Sequence, residues 1–230
     1  MEPDLGDNRQ CHCKNGTVVC DATKQPCSAK WGKVLSHLGL QYEESWNIRD
    51  RHMSQTLNRL AEFLGPDSKI IVWEHNTHVG DARYTDMADQ GMVNLGQLAR
   101  ESFGSENVFA VGFGSYQGSV VAASSWGAPI KNMPVPPAPA NRWEGYLHTI
   151  GSPNKIILSA EVKDHPALQK PLGHRAIGVV YDPDREQGNY LRSIIPKRYD
   201  AFIFIDKTSA LHPIGVQQRI EPPDTYPSGF

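Results

Sequence analysis

Between Glu74 and Arg83 the chain carries two imidazoles, two carboxylates, an amide and a guanidinium, in the order Glu74-His75-Asn76-Thr77-His78-Val79-Gly80-Asp81-Ala82-Arg83. Such a density of proton-transfer and hydrogen-bonding groups suits acid–base chemistry. Two chemistries fit the residue types. In the first, His75 or His78 shuttles a proton or steadies an oxyanion during hydrolysis without a metal. In the second, His75, His78 and Asp81 hold a divalent metal that activates water. The second ranks lower. Its H-x-x-H-x-x-D spacing lacks the i, i+4 geometry by which H-E-x-x-H places both ligands on one helix face, and Gly80 argues against a helix here. A histidine at the end of a strand also serves as a hydrogen-bonded structural residue, and composition does not separate that role from catalysis.

The elements around this segment decide how it is presented. The β-branched run Lys69–Trp73 reads as a buried strand. In a parallel α/β sheet, ligands bind beyond the carboxyl ends of the strands, which is where His75 falls. Before it, Trp46–Leu64 reads as a helix with Met53, Leu57, Leu60 and Leu64 on one stripe, stopped by Gly65-Pro66. After it comes a long polar loop to about Met92. Asn94 then caps a helix to Phe103, with Leu95, Leu98 and Ala99 inward and Gly104 at its end. Further strands are expected at Val108–Phe113, Ser119–Ala123, Lys155–Ser159, Ala176–Tyr181 and Ala201–Ile205, with a short helix at Trp143–Thr149. The proline-rich Met133–Pro139 is extended, and excluded from helix and central strand. This alternation predicts an α/β fold, a mostly parallel sheet with helices on both faces. Few helices serve these strands, so an incomplete domain with part of its sheet uncovered is expected.

Over 230 residues the formal charge is only −2, which gives no electrostatic footprint for nucleic acid or an anionic membrane. Apolar runs such as Ala201–Ile205 fall far short of the ~20 residues that span a bilayer. The acidic opening Met1–Asp7 lacks the basic and apolar regions of a signal peptide, so a cytoplasmic location is expected. Four cysteines, Cys11, Cys13, Cys20 and Cys27, sit near the front in a spacing unlike the usual zinc patterns. Residues 1–30 read as an irregular cysteine-containing segment, with a zinc knot or disulfides as alternatives. Residues 31–220, opening on an amphipathic stretch at Trp31–Leu40, read as the α/β domain, and 221–230 as a tail.

The landmarks Trp46-Asn47-Ile48-Arg49-Asp50-Arg51-His52-Met53, Trp73–Arg83, Asn94–Leu98, Arg175–Tyr181 and Arg198–Phe202 follow one another in an order that resembles the erythromycin esterase family, from about Glu44 to Ile214. The resemblance implies metal-independent hydrolysis of a carboxylic ester or macrolide lactone, with a histidine base activating water and no cofactor. Carried over by position, it makes His75, His78 and Arg49 the catalytic candidates, and Glu74, Asp81 and Arg83 the substrate contacts. Either His75 or Arg49 would steady the developing oxyanion while the other orients it. The resemblance also implies a Gly-Glu-x-x-His-Gly segment bearing the principal histidine, and no such segment occurs in the sequence. Two expectations therefore stand beside the metal alternative: an esterase-like hydrolase, active or inactive without that segment, or a non-catalytic remnant that binds a small molecule or a partner. The expected partners are a small-molecule ester or lactone and a second copy or another chain covering the exposed sheet, with no nucleic acid and no membrane.

Overall fold

The computed structural model describes residues 11–14, 17–20, 42–125 and 127–212. The amphipathic stretch 31–40, Cys27 and the tail 221–230 lie outside the described residues. The chain divides into two compact units, 1–39 with 223–230, and 40–222. Within the first, β1 (Cys11–Lys14) and β2 (Thr17–Cys20) form an antiparallel hairpin in which Cys11 is the register partner of Cys20. Asn15-Gly16 between them is a strong two-residue hairpin signal.

The second unit opens with α1 (Tyr42–Leu64). Its buried face is Trp46, Asp50 and Ser54, spaced four apart. The apolar stripe expected to face inward does not: Met53 and Leu57 are half-buried, whereas Leu60 and Leu64 are about half exposed. Gly65 ends the helix in the left-handed conformation, φ 88°, as a C-terminal glycine does.

The next departure matters most for the site. Lys69–Trp73 does not pair as a strand; it has no ladder partner among the described residues, and Ile71 and Trp73 are 91% and 87% exposed. Trp73 leans on Phe113 with ring centroids 6.4 Å apart. A β-branched apolar run has the propensity for a strand, but a strand exists only where a neighbouring backbone supplies hydrogen bonds.

The chain then makes one short helical turn, α2 (Asn76–Val79), two 3₁₀ turns, and α3 (Leu95–Phe103). The α3 boundaries are those expected. Asn94 accepts the Gln97 N–H as N-cap, Leu95, Leu98 and Ala99 are buried, and Gly104 stops the helix at φ 83°. Val108–Phe113 and Ser119–Ala123 prove to be one strand, β3 (Val111–Ala122). Gly118 keeps it continuous at φ 141°, where a Cβ would overlap the Thr208 carbonyl.

β3 lies parallel to β8 (Ala201–Thr208) and antiparallel to β4 (Lys131–Val135), while β5 (Lys155–Leu158) closes the other edge antiparallel to β8. The order is β4-β3-β8-β5. The sheet is therefore mixed, with a single parallel pair, and not mostly parallel as the alternation suggested. Pro134 is tolerated in β4 because that strand is an edge. The expected strand Ala176–Tyr181 is not one: β6 (Leu172–Arg175) pairs with β7 (Tyr190–Ser193) just before it, and only an isolated bridge joins Val180 to Ala123. Between β4 and β7 lie α4 (Trp143–His148) and the single turn α5 (Ser159–Val162); α6 (Ile195–Arg198) precedes β8.

Phe202 and Phe204, alternating along β8, are fully buried against Trp143, Leu147, Ile195 and Tyr199. Each such side chain contributes roughly 1.5–3 kcal/mol by leaving water. The opposite face of the sheet differs. Phe113, Ile156 and Leu158, in register with Ile203 and Ala201, are 43%, 67% and 41% exposed. The expectation of helices on both faces fails there, and an apolar face is left open to solvent. No helix among the described residues is long and apolar enough to cross a membrane.

Candidate active site

The residues from Trp73 to Arg83 separate into groups with different fates. His78 is buried and fully engaged. Its Nδ1–H donates to Asp50, 2.8 and 2.9 Å from the two carboxylate oxygens, and its Nε2 lies 3.0 Å from Nη2 of Arg49. Because a carboxylate only accepts and a guanidinium only donates, the ring is neutral with its proton on Nδ1. Trp46 stacks on it at 4.5 Å with 7° between planes, and the Arg49 guanidinium sits 4.7 Å from the Trp46 ring. Asp50 also accepts the Leu95 N–H at 3.2 Å. One carboxylate on α1 thus ties together the imidazole loop and the start of α3.

His75 is only part-buried and is held in the other tautomer. Nδ1 accepts from the backbone N–H of Thr77 and lies 2.8 Å from its hydroxyl, while Nε2–H donates to the Ile177 carbonyl at 2.8 Å. Desolvation, opposed by the Ile177 hydrogen bond and reinforced by nearby His78, His174 and Arg198, holds its pKa below the usual histidine value. His75 is therefore a neutral Nε2–H donor.

Asp81 and Arg83, expected as substrate contacts, are occupied with each other. Arg83 donates Nε–H and Nη2–H to the two oxygens of Asp81 at 2.9 and 2.7 Å, and Arg100 adds a third bond at 3.1 Å. Arg100 also reaches Asp200 at 2.7 Å. Burial acts to raise the Asp81 carboxyl, but the hydrogen bonds and charge of Arg83, with Arg100, outweigh it and leave the pKa below the ordinary aspartate value. Glu74 is exposed. The structure thus brings Arg49 to His78 and Asp81 to Arg83, and does not gather His75, His78 and Asp81 as a metal-ligand set. Among the described residues no three His, Cys, Asp or Glu side chains form such a group.

Beneath the loop lies a second buried imidazole that sequence reasoning passed over. His174 on β6 is wholly buried, with Nδ1 2.6 Å from Glu144 Oε1 and Nε2 3.3 Å from Asn76 Nδ2. Desolvation lowers its pKa despite the Glu144 carboxylate. Glu144 itself, Asp50 and Arg198 are all fully buried. Glu144 and Asp50 are separated from their partners by 28 or more residues, and Arg198 reaches across to Asn76, so no local motif advertises them. A charged side chain one residue from a buried aromatic, as in Trp143-Glu144, was the only available signal.

The sequence model of the erythromycin esterase family matches residues 23–208. The chain belongs to the erythromycin esterase family. Its fold is similar to that of a succinoglycan biosynthesis protein, with a TM-score of 0.61 at 17% identity over 74% of this chain and 40% of that one. A Bacillus cereus protein matches at 0.58 and 19%, over 76% of this chain and 42% of that one. A mutant of the erythromycin esterase EreC in its open conformation matches at 0.52 and 17%, over 76% and 40% respectively. The chain therefore spans about two fifths of the length of these structures.

The buried neutral histidines have a measurable consequence. His75 and His174 have folded-state pKa values below the unfolded value of about 6.5. Below that pH the unfolded chain binds more protons, so their contribution is complete above about pH 6.5 and is lost as pH falls toward the folded values. Each histidine supplies a slope of at most about 1.4 kcal/mol per pH unit in that window. The Asp81 contribution is present above the unfolded aspartate value and disappears only at lower pH. Thermal melts are expected to show the midpoint falling steadily from pH 7 to pH 5, with a shallower slope in His174→Phe. Equal midpoints across that range would contradict the neutral assignments.

Proposed function

We propose that the chain acts as an ester- or lactone-hydrolysing member of the erythromycin esterase family, with His75 as the group that meets the reacting carbonyl. The observation that carries this reading is the state of His75. It is part-exposed and neutral, and its Nε2–H is aimed at a single backbone carbonyl, Ile177 O. An N–H donor that can exchange a neutral carbonyl for a developing oxyanion stabilises the transition state more than the ground state. In this reading His78 does not touch substrate. Asp50 and Arg49 consume both its nitrogens, and its role is to hold the loop. Arg49 lies against His78 and Trp46, from where its charge favours an anion nearby. Water adds to the carbonyl carbon and gives up a proton to solvent, which forms the tetrahedral oxyanion; the C–O bond to the leaving group then breaks, the departing alkoxide takes a proton from solvent to become the alcohol, and the acid product ionises to the carboxylate.

The test is hydrolysis of p-nitrophenyl esters and a macrolide lactone by the purified protein. His75→Ala is expected to lower kcat/KM about a hundredfold or more, the scale of losing one oxyanion-hole donor. His52→Ala, on the exposed side of α1, is expected to leave it unchanged. Absence of hydrolysis, or hydrolysis indifferent to His75→Ala, overturns the reading.

A second reading rests on the exposed Ile71, Trp73 and Phe113, the last two with ring centroids 6.4 Å apart. Large contiguous apolar patches mark binding surfaces, so a non-catalytic role in binding a partner would leave the patch intact and the assays blank. In that case Trp73→Ser would weaken self-association or partner capture, as read by light scattering or pull-down, without any esterase activity to lose.

A further inference from the structure

Asn76 lies between the two loop histidines, and its side chain does an unusual thing. The Oδ1 atom accepts the Phe113 N–H at 3.1 Å, and Nδ2 donates to the Phe113 carbonyl at 2.6 Å. A carboxamide thereby imitates a neighbouring strand and pins the start of α2 to β3. The backbone carbonyl of Asn76 is pinned as well, accepting from Arg198 Nη2 at 2.9 Å and the Tyr199 hydroxyl at 3.2 Å.

A carboxamide can sit either way round, and its neighbours decide which. Here Nδ2 has two hydrogens to place. One goes to Phe113 O, and the other faces Nε2 of His174 at 3.3 Å. That second bond exists only if Nε2 carries a lone pair. A proton there would set N–H against N–H, and flipping the amide would set Oδ1 against Phe113 O. His174 must then hold its proton on Nδ1, and Glu144 Oε1 is what keeps it there, accepting at 2.6 Å. The Arg175 backbone N–H fixes that same oxygen at 2.9 Å. Glu144 and His174 are both wholly buried, so no water competes for these sites and the polarity of the sequence is set from one end. Arg175 and Arg198 are the other charged groups that act on His174. Their charge favours the neutral ring.

We propose that Glu144 and His174 are positioning residues, a buried carboxylate–imidazole relay that fixes the orientation of the Asn76 carboxamide and through it the placement of His75. The relay transfers no proton. Its two members act by committing one tautomer, in the way that outer hydrogen bonds commit the tautomer of a metal-bound or catalytic histidine. The part of the inference that concerns catalysis rests on the hydrolytic reading above; the part that concerns the tautomers does not.

The test uses the full chain with ¹⁵N-labelled histidine and asparagine. In the unaltered protein at neutral pH, His174 is expected as the Nδ1–H tautomer and His75 as the Nε2–H tautomer. Finding His174 as Nε2–H or doubly protonated overturns the relay before any variant is made. Glu144→Leu removes the acceptor and is expected to give His174 a mixture of tautomers and to shift the Asn76 side-chain amide. Glu144→Gln keeps an acceptor oxygen at the same place and is expected to restore the single tautomer. If ester hydrolysis is present, Glu144→Leu lowers kcat about ten- to hundredfold with KM within about twofold, the signature of a misplaced reacting group, and Glu144→Gln recovers most of it. Unchanged His174, Asn76 and kcat in Glu144→Leu would overturn the relay. Absence of hydrolysis in the unaltered protein would overturn the functional reading alone, with the relay still judged on the tautomers.

Discussion

Arg175→Met is expected to cost about 3–5 kcal/mol of folding stability, the range for breaking a buried ion pair from one side. A guanidinium has five N–H groups, and at Arg175 each has an acceptor. Nε–H donates to Glu186 Oε1 at 2.7 Å, Nη1 to the Ser115 and Tyr116 carbonyls at 2.6 and 2.8 Å, and Nη2 to the Pro136 carbonyl at 2.8 Å and the Tyr190 hydroxyl at 2.9 Å. One side chain thus joins β6 to β3, to the segment after β4, to the 3₁₀ stretch Pro183–Asn189 and to β7. Methionine matches the aliphatic stem but strands Glu186 and three backbone carbonyls in a site that is nearly closed to water. Tyr181 keeps its 2.5 Å bond to the other oxygen of Glu186, which limits the loss without abolishing it. Urea denaturation of the two proteins measures the difference directly. A shift below about 1 kcal/mol would show that these bonds are replaced by solvent. Arg175→Lys is expected to recover only a fraction, since an ammonium has three donors and no planar fork.

Asp50→Ala is the second large effect, expected at about 2–5 kcal/mol. The methyl group leaves two buried donors without acceptors, His78 Nδ1–H and the Leu95 N–H, at roughly 1–3 kcal/mol each. Asp50 is fully buried and has no solvent to share the burden. The change also removes the reason for the His78 tautomer, so the stack of that ring on Trp46 should loosen. Asp50→Asn keeps one acceptor oxygen and is expected to fall between the two. Thermal melts give the stabilities, and histidine side-chain NMR reads the tautomer. An Asp50→Ala protein as stable as the original would mean that the α1 carboxylate is incidental to the loop.

Both residues illustrate what was legible beforehand. In the sequence Asp50 and Arg175 stand only as members of the landmark segments Trp46–Met53 and Arg175–Tyr181, because a sequence shows a charge but not the partner that waits across the fold. The partners of Arg175 come from β3, the segment after β4, the 3₁₀ stretch and β7, and those of Asp50 are 28 and 45 residues away. By contrast α3 was readable from Asn94 to Gly104, since its cap, buried stripe and stop all lie within the helix and its immediate neighbours. The strands β3, β5 and β8 were readable for a related reason: each of their apolar runs pairs with a strand that the chain itself supplies. The run Lys69–Trp73 has the same composition and did not form a strand, because among the described residues nothing lines up beside it. The inward stripe of α1 was misplaced by a rotation of the helix, since its buried face is built on Trp46, Asp50 and Ser54 and two of the three are polar.

Residue types and spacing alone determined that this chain carries an imidazole loop after an apolar segment and that a capped helix follows it, while the order of its landmarks carried the resemblance to the erythromycin esterases. Only the tertiary structure decided what each imidazole does. His78 became a buried strut because Asp50 and Arg49 take both its nitrogens, and Asp81 became a structural anion because Arg83 and Arg100 take its oxygens. His75 kept a single exchangeable donor, and His174 emerged as the group beneath it. The physical reason is that a side chain's chemistry is set by its solvation and its hydrogen-bond partners, and these are assembled by segments far apart in the chain.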